Sequence, residues 1–556
     1  MNNPFGADIY VDAITFNDGS VIKFGKSDIT VFTGANNSGK SQILRELNNK
    51  YIANNNSKIV SKDILLNYVG EPSENYLKSI SNGIEGSYQI RGSYYGTYDN
   101  FMSQWNGHQQ GITGRLCVKY LPTDSRLMLA NSVNSIDFTK DKPAEPLHEL
   151  YIDDEKETVL DNYFFRAFGT HLTVNRGAGA NISMHVGEKI IPQAKEDRVS
   201  ASYLKKLTLL PKIEEQGDGM RSFAGILLHI LTNHKSAIFL DEPEAFLHPP
   251  QARLLGEMLA SYSPEGSQLF ISTHSEDFLK GLLEAKNNNV KIIRINREKD
   301  INHISHLDNE QIKTLWKDSI LRFSNILSGL FHSKVALCEA DTDCRFYQSI
   351  LHSIYEGEDK VSPDILFTHC GGKQRLKTVV DSLRSINVPV AVISDIDLLN
   401  DKEIFKSLTE SLGIEWDSIS TLWKTIYEYV RSQRPQRDTE EVRKDLLEAL
   451  SKETEQYISP DTAENLKAVI KMSSAWATVK NTGKSFFKGD AYTSFVAIDE
   501  ICRKHGLFVV PVGELECFYK PVSGHGTKWV NEVLSKVDLK TDKEISPAVE
   551  FIKAII

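Results

Sequence analysis

The sequence predicts an α/β protein built on two successive parallel sheets, and three stretches carry that prediction. A strand-like run, Ile29-Thr-Val-Phe, enters the loop Gly34-Ala-Asn-Asn-Ser-Gly-Lys-Ser41 and then a helical stretch from Gln42 to Asn49. An apolar strand, Ala237-Ile-Phe-Leu240, ends in Asp241-Glu242 and is followed by a helix from about 249 to 262 and a further strand, Gln268-Leu-Phe-Ile-Ser272. A second alternation begins near 334, with strand Val335 to Cys338, a helix from about 342, strand Asp364 to Thr368, helix 373–386 and strand Val388 to Ile393. Helices recurring between buried strands are the pattern of a parallel sheet.

The remaining elements follow in order. Ile9 to Phe16 and Val21 to Phe24 alternate as strands around the turn Asn17-Asp-Gly-Ser, a hairpin feeding the third strand at Ile29. From about 50 to 200 the chain is polar, without the heptads of coiled-coil arms. A helical run around 220–233 precedes the Asp-Glu strand. Residues 402–475 read as a charged helical insertion, and a last strand, Leu507 to Val512, leads to Glu514 and Glu516. A chain of 556 residues exceeds one hydrophobic core, and the boundary is expected between a domain at 1–325 and another at 332–556.

The formal charge of −10 neither indicates nor excludes nucleic acid, because phosphate contacts come from local basic patches. Cys117, Cys338, Cys344, Cys370, Cys502 and Cys517 lack the close paired spacing of a zinc site or a disulfide framework, so reduced thiols in a cytoplasmic protein are expected. No stretch approaches eighteen consecutive apolar residues, and the first residues lack a secretory pattern. Neither membrane insertion nor export is expected.

A loop of the form G-x-x-x-x-G-K-S between strand and helix turns consecutive backbone N–H groups onto phosphates. The residues that would hold a nucleotide are Gly34, Asn36, Asn37, Ser38, Gly39, Lys40, Ser41 and Gln42, with Lys40 neutralising the β/γ oxygens and Ser41 on Mg²⁺. Asp241 is placed for the metal and Glu242 for polarising the attacking water, while His274, after the strand ending at Ser272, is suited to touch a γ-phosphate.

In the second half, Glu339 ends a strand, Asp343 lies one helical turn later, and Asp395-Ile-Asp397 ends another strand. Acids gathered at one sheet edge repel one another unless a divalent cation compensates them. Glu514 and Glu516 are further candidates, and Lys373, Arg375, Lys484 and Lys488 could hold flanking phosphates.

The first half resembles the ABC ATPase heads of the SMC, RecF and OLD group over roughly residues 8–280. That resemblance implies ATP as ligand and a signature segment that acts across a head dimer, here Gln216-Gly-Asp-Gly-Met-Arg-Ser222; Gln104, Gln109 and Gln110 are the candidates for a metal-binding loop glutamine. The second half resembles the Toprim domain over roughly 332–400 plus the strand reaching Glu516. It implies Glu339 in acid–base or metal chemistry, Asp395 and Asp397 on Mg²⁺ or Mn²⁺, and Asp343 on a second metal, with Ala340 where that family usually has glycine. The two domains in this order are similar to the OLD family of ATP-dependent nucleases. The resemblance implies a Mg²⁺-dependent DNA endonuclease or nickase gated by nucleotide state and working in anti-phage defence. It also implies a homodimer or higher homo-oligomer, and a defence partner that is a protein or a retron reverse transcriptase with its nucleic acid. The alternative is a nucleotide-switched DNA-binding or assembly protein whose Toprim domain does not cut.

Overall fold

The computed structural model describes residues 6–556 except 53–57, 82–85, 91–93, 110, 178, 195, 263–265, 286, 288, 308–324, 386, 434–438, 452–456 and 471–474. The chain divides into two compact units, Met1–Phe331 and His332–Ile556.

The first unit centres on a six-stranded sheet ordered Ile301–Leu307, Val290–Glu298, Ile29–Thr33, Gln268–Ser272, Ala237–Asp241, Val118–Leu121. All neighbours are parallel except the antiparallel pair at the Ile301–Leu307 edge. Every residue of Ile29–Thr33, Ala237–Asp241 and Gln268–Ser272 is buried, which explains why these strands read as continuous apolar runs rather than alternating ones. Helices Lys40–Ile52, Asp218–Leu231 and Pro249–Ser261 carry the apolar faces that cover such a sheet.

The hairpin expected at the N-terminus is present, with Ala7–Phe16 pairing antiparallel to Val21–Lys23. It does not continue into the strand that follows. Ala7–Phe16 pairs on its other side with Ser61–Gly70, forming a separate three-stranded sheet, while Ile29–Thr33 enters the central one. Strand register, fixed by which face is buried, separates these neighbours where the sequence shows only a turn.

The second unit has a four-stranded parallel sheet ordered Ile365–His369, Lys334–Cys338, Val390–Ser394, Leu507–Val509. The last strand is shorter than expected, because Pro511 cannot donate to a ladder and the chain turns away before it. The helix expected over 373–386 opens as a 3-10 turn at Lys373–Arg375 and becomes α-helical over Leu376–Ser385. The insertion folds as Lys402–Ser411, Trp416–Ser432, Thr439–Ser451 and Pro460–Ile470, and Ala475–Thr482 brings the chain back. The block is charged as expected yet amphipathic: Ile419, Trp423, Ile426 and Val430 line one buried face of Trp416–Ser432. No described helix is long and apolar enough to cross a membrane.

Candidate functional site

Register places the first site. Asp241 pairs with Ser272, and Ser272 with Phe32, so the carboxylate stands two strands from the end of the strand that feeds the glycine loop. Gly34 has φ +137°, and a Cβ there would lie 2.1 Å from the Ile295 carbonyl oxygen; no other residue fits. Gly39 has φ +107° and closes against the Val60 side chain. Asn37 takes a left-handed φ of +61°, which asparagine tolerates. Asn36 and Asn37 are exposed at the crest of the loop, Ser38 is buried, and Ser41 is half-buried in the first turn of Lys40–Ile52. The first N–H groups of that helix face the loop without intrahelical partners.

Lys40 is buried and its Nζ donates to the carbonyls of Gly34 and Ala35, both at 2.8 Å. Burial pushes its ammonium down to about 8 against the opposing pull of Glu242, Glu244 and Asp241. A cation hydrogen-bonded to its own loop's carbonyls, beside orphan helix N–H groups, fits a polyphosphate. The Gln42 amide is turned onto Glu46 at 3.1 Å instead of toward the loop.

At the end of its strand, Asp241 accepts a hydrogen bond from the Ser272 hydroxyl. Glu242 follows with φ +48°, a strained conformation for a non-glycine residue, and its N–H donates to the Ser272 carbonyl at 3.0 Å. His274 Nε2 lies 3.3 Å from Glu242 Oε1. Burial and then the Lys40 charge push the imidazole down to about 4, so it is neutral at physiological pH.

Two groups at this site escaped sequence reasoning. The fully buried Arg126 guanidinium donates to the carbonyl of Glu242 at 2.6 Å and to that of Asp241, clamping the turn that sets both acids. Asn302, on the edge strand, donates to the Ser38 carbonyl at 2.5 Å and accepts from Asn17 at 2.9 Å, tying the loop's end to the N-terminal hairpin. Neither belongs to a contiguous motif, so no local signal announces them. The loop after Val118–Leu121 stands beside Asp241: the Thr123 hydroxyl donates to the Asp241 carbonyl at 2.9 Å. Gln104 sits on the helix Tyr98–Asn106 and Gln109 just beyond it, and Gln110 lies outside the described residues. The signature segment forms the first turn of Asp218–Leu231, where a Cβ on Gly219 would lie 2.7 Å from the Phe246 carbonyl and Ser222 is buried.

The second site forms at the carboxyl edge of the four-stranded sheet. Glu339 Oε1 accepts from the Ser394 hydroxyl at 2.5 Å and from the Asp395 N–H at 3.2 Å, joining two adjacent strands. Asp343 Oδ2 accepts from the Ala340 N–H at 3.0 Å. Ala340 itself is extended, at φ −134°, so this turn has no need of glycine. Burial, then Glu339 and Glu516, push the Asp343 carboxyl up to about 6. Burial, with Glu339 the largest charge contribution, pushes Asp395 well above the usual carboxylate range, opposed by Lys480. The structure thus brings together Glu339, Asp343, Asp395 and Asp397, with Glu514 and Glu516 alongside.

Lys480 is the residue that sequence reasoning missed here. Its Nζ lies 3.3 Å from Asp395, 3.7 Å from Asp397 and 3.3 Å from Glu514. It reaches them because its backbone packs against Gly513, where a Cβ would sit 1.8 Å from the Lys480 carbonyl. Lys373 pairs with Asp397 at 3.2 Å, whereas Arg375, Lys484 and Lys488 are exposed. Glu516 also accepts from the Gly526 N–H at 2.7 Å, and Glu514, Glu516 and His525 bring ligand atoms within 4.8 Å of one another. Hard carboxylate oxygens in excess over the nearby cations suit Mg²⁺ or Mn²⁺.

Comparisons with known proteins agree with both halves. Residues 194–279 match the family described as "AAA domain, putative AbiEii toxin, Type IV TA system". Residues 330–397 match "Overcoming lysogenization defect protein-like, TOPRIM domain". The Old nuclease of Escherichia phage P2 is 27% identical over 193 residues, which cover 33% of this chain and 31% of that protein, so the match spans about a third of the relative's length. Among solved structures, the Smc head domain with an extended coiled coil bound to the C-terminal domain of ScpA, from Pyrococcus furiosus, aligns with 56% of this chain and 99% of its own at 13% identity and a TM-score of 0.33. The SMC head domain from Thermotoga maritima aligns with 54% of this chain and 98% of its own at 13% identity and a TM-score of 0.26. The chain therefore joins an AAA/ABC-like ATPase domain to an OLD-like Toprim domain.

Proposed function

We propose that this protein is an ATP-hydrolysing DNA endonuclease or nickase of the OLD kind, in which nucleotide state controls a divalent-metal site at the carboxylate edge of the second unit, and that it serves defence against phage. The observation that carries the reading is the convergence of Glu339, Asp343, Asp395, Asp397 and Glu514 on one sheet edge, around Lys480. Three separate chain segments supply these acids, and their mutual repulsion is a standing cost unless cations occupy the edge.

In the first site, Lys40 and the helix N–H groups would bind the triphosphate, with Asp241 and Ser41 holding Mg²⁺. Glu242 would take the proton of the attacking water, and neutral His274 would orient it. In the second, Asp395, Asp397 and Glu339 would hold Mg²⁺ or Mn²⁺, with Asp343 in reach of a second ion; the metal supplies Lewis-acid polarisation of the scissile phosphate. Lys373 and Lys480 are placed to meet a phosphate oxygen. Two heads are proposed to meet as a homodimer, since the signature turn at Gly217–Ser222 belongs to a partner's nucleotide; light scattering that finds only monomer with and without ATP would count against it.

The deciding experiment follows nicking of supercoiled plasmid over a Mg²⁺ and Mn²⁺ series, with ATPase activity measured on the same preparations. Asp395→Ala should remove cleavage and leave ATP hydrolysis largely intact. Equal cleavage by wild type and variant would place the chemistry elsewhere. A second reading draws on one observation: Lys480 already supplies a resident cation to Asp395, Asp397 and Glu514. In that reading the second unit binds DNA without cutting, and a partner cuts. Absence of cleavage by wild type under every metal, nucleotide and partner condition would favour it.

A further inference from the structure

Three residues past Asp241, Glu244 enters neither the metal nor the phosphate assignment, yet it has the most specific contacts of the three acids in the turn. Its Oε1 accepts two hydrogen bonds from the neighbouring strand's end, one from the Thr273 hydroxyl and one from the His274 backbone N–H, both at 2.8 Å. The Thr273 hydroxyl oxygen also accepts from the Ser275 N–H at 3.0 Å, so a single carboxylate oxygen organises three consecutive residues. Thr273 is fully buried, and Glu244 Oε2 is buried without a hydrogen-bond partner among the described residues.

A buried carboxylate with one oxygen unsatisfied is expensive. Lys40 and Arg126 offset part of that cost by lying within electrostatic reach. A carboxamide, or a serine, could accept hydrogen bonds with less desolvation, so a role in stability alone explains the residue poorly. What the two bonds do fix is the backbone from which the His274 imidazole reaches Glu242 at 3.3 Å. Glu242 is held independently, by its N–H on the Ser272 carbonyl and by Arg126 on its own carbonyl. The pair is therefore set from two sides: Arg126 and Ser272 position the glutamate, and Glu244 positions the histidine.

We infer that Glu244 is a positioning residue for ATP hydrolysis, acting through His274: its Oε1 fixes the Thr273–His274 backbone so that the imidazole meets Glu242 and the attacking water. This rests on the nucleotide-site reading above. A misplacement of the ring by about 1 Å is enough to slow the step by roughly ten- to a hundredfold, while nucleotide binding, carried by the loop and Lys40, is untouched.

The test measures kcat and KM for ATP in the full chain for Glu244→Ala, Glu244→Gln, His274→Ala and the double variant Glu244→Ala/His274→Ala, with a thermal melt of each. Glu244→Ala should lower kcat about ten- to a hundredfold with KM within about twofold. Glu244→Gln should recover most of the rate, because its carboxamide oxygen can accept the same two bonds. The double variant should be no slower than His274→Ala alone, the non-additivity expected when one residue acts through the other. Effects that multiply in the double variant, or Glu244→Gln as slow as Glu244→Ala, would overturn the inference. Should Glu244→Ala melt too low to assay, Thr273→Val removes one of the two bonds and should lower kcat by a smaller factor; an unchanged kcat there overturns it too. A wild-type rate in Glu244→Ala beside a slow His274→Ala defeats this inference alone. A wild-type rate in His274→Ala defeats the histidine's role in the nucleotide site, and the inference with it.

Discussion

At the edge of the first sheet, Asp241, Glu242 and Glu244 lie within electrostatic reach of Lys40 and Arg126, and hydroxyl and N–H donors from Ser272, Thr273 and His274 take up much of the remaining charge. At the edge of the second, Glu339, Asp343, Asp395, Asp397, Glu514 and Glu516 have Lys480 and Lys373 as their paired lysines. Both edges use the same topology, with acids at the carboxyl ends of parallel strands, where ligand crevices form. At the first, burial pushes the Glu244 carboxyl up; at the second, burial and neighbouring acids push Asp343 up to about 6 and Asp395 well above the usual carboxylate range. The first edge is nearly balanced by its own residues and awaits an anion; the second is overloaded with anions and awaits cations.

The largest effects should separate the two edges. Glu242→Gln should slow ATP hydrolysis by about 10²- to 10⁴-fold, the usual contribution of a positioned base, while ATP binding and metal-dependent cleavage by the second unit in isolation from turnover persist. Hydrolysis at the wild-type rate would show that another group activates the water. Lys40→Ala should weaken ATP binding by about 2–5 kcal/mol, the range for truncating one partner of a buried charge pair, which equilibrium titration with a fluorescent ATP analogue would read. An affinity unchanged within error would break the picture of an edge built for an anion.

A smaller effect sharpens the contrast from the other side. Lys480→Gln should tighten Mg²⁺ or Mn²⁺ binding at the second edge by roughly tenfold, since removing one competing charge at 3–4 Å is worth about 1 kcal/mol or more, and should reduce cleavage. Calorimetric titration of the variant with metal alone checks the first half. Weaker metal binding in the variant would mean that Lys480 organises the acids and does not compete for them.

The first edge was largely legible because its chemistry is local. Gly34 to Ser41 and Asp241-Glu242 are contiguous motifs whose spacing carries the geometry, and the strands around them are buried throughout and so read as apolar runs. Arg126 and Asn302 were invisible because each acts on backbone carbonyls far away in sequence, a role that any donor of the right reach could fill. At the second edge the acids announced themselves at strand ends, but Lys480 did not. It lies a few residues past a charged insertion, among many lysines, and the only sign of its packing is a pair of glycines, Gly483 and Gly513, whose Cβ positions are taken by the opposing backbone. The expected hairpin is present, but which sheet it enters was not legible: a turn fixes which strands are neighbours in sequence, while long-range pairing with Ser61–Gly70 decides the sheet.

The smallest expected effect tests the overloaded edge by stability alone. Burial and the neighbouring acids raise the Asp395 carboxyl well above its unfolded value, and Asp343 is raised to about 6. For an acid raised in the folded state, the proton's stabilisation is fully present below the unfolded value near 4 and is lost as pH rises through the folded one. Without metal, the second unit should therefore lose stability as pH rises from about 4 through about 6, where Asp343 titrates, and further as it passes through the raised range of Asp395. Asp395→Asn removes one such acid while keeping its shape and leaving the backbone N–H bond to Glu339 in place, so its melting temperature in EDTA should match wild type near pH 4 and exceed it by a few degrees at pH 7.5. That size corresponds to about 1 kcal/mol in a domain of this length. Added Mg²⁺ should reverse the order, because binding stabilises only the state that holds the ion and the variant has lost a ligand. A variant less stable than wild type at every pH in EDTA would mean that Lys480 and Lys373 already balance the edge, and that no cation is awaited there.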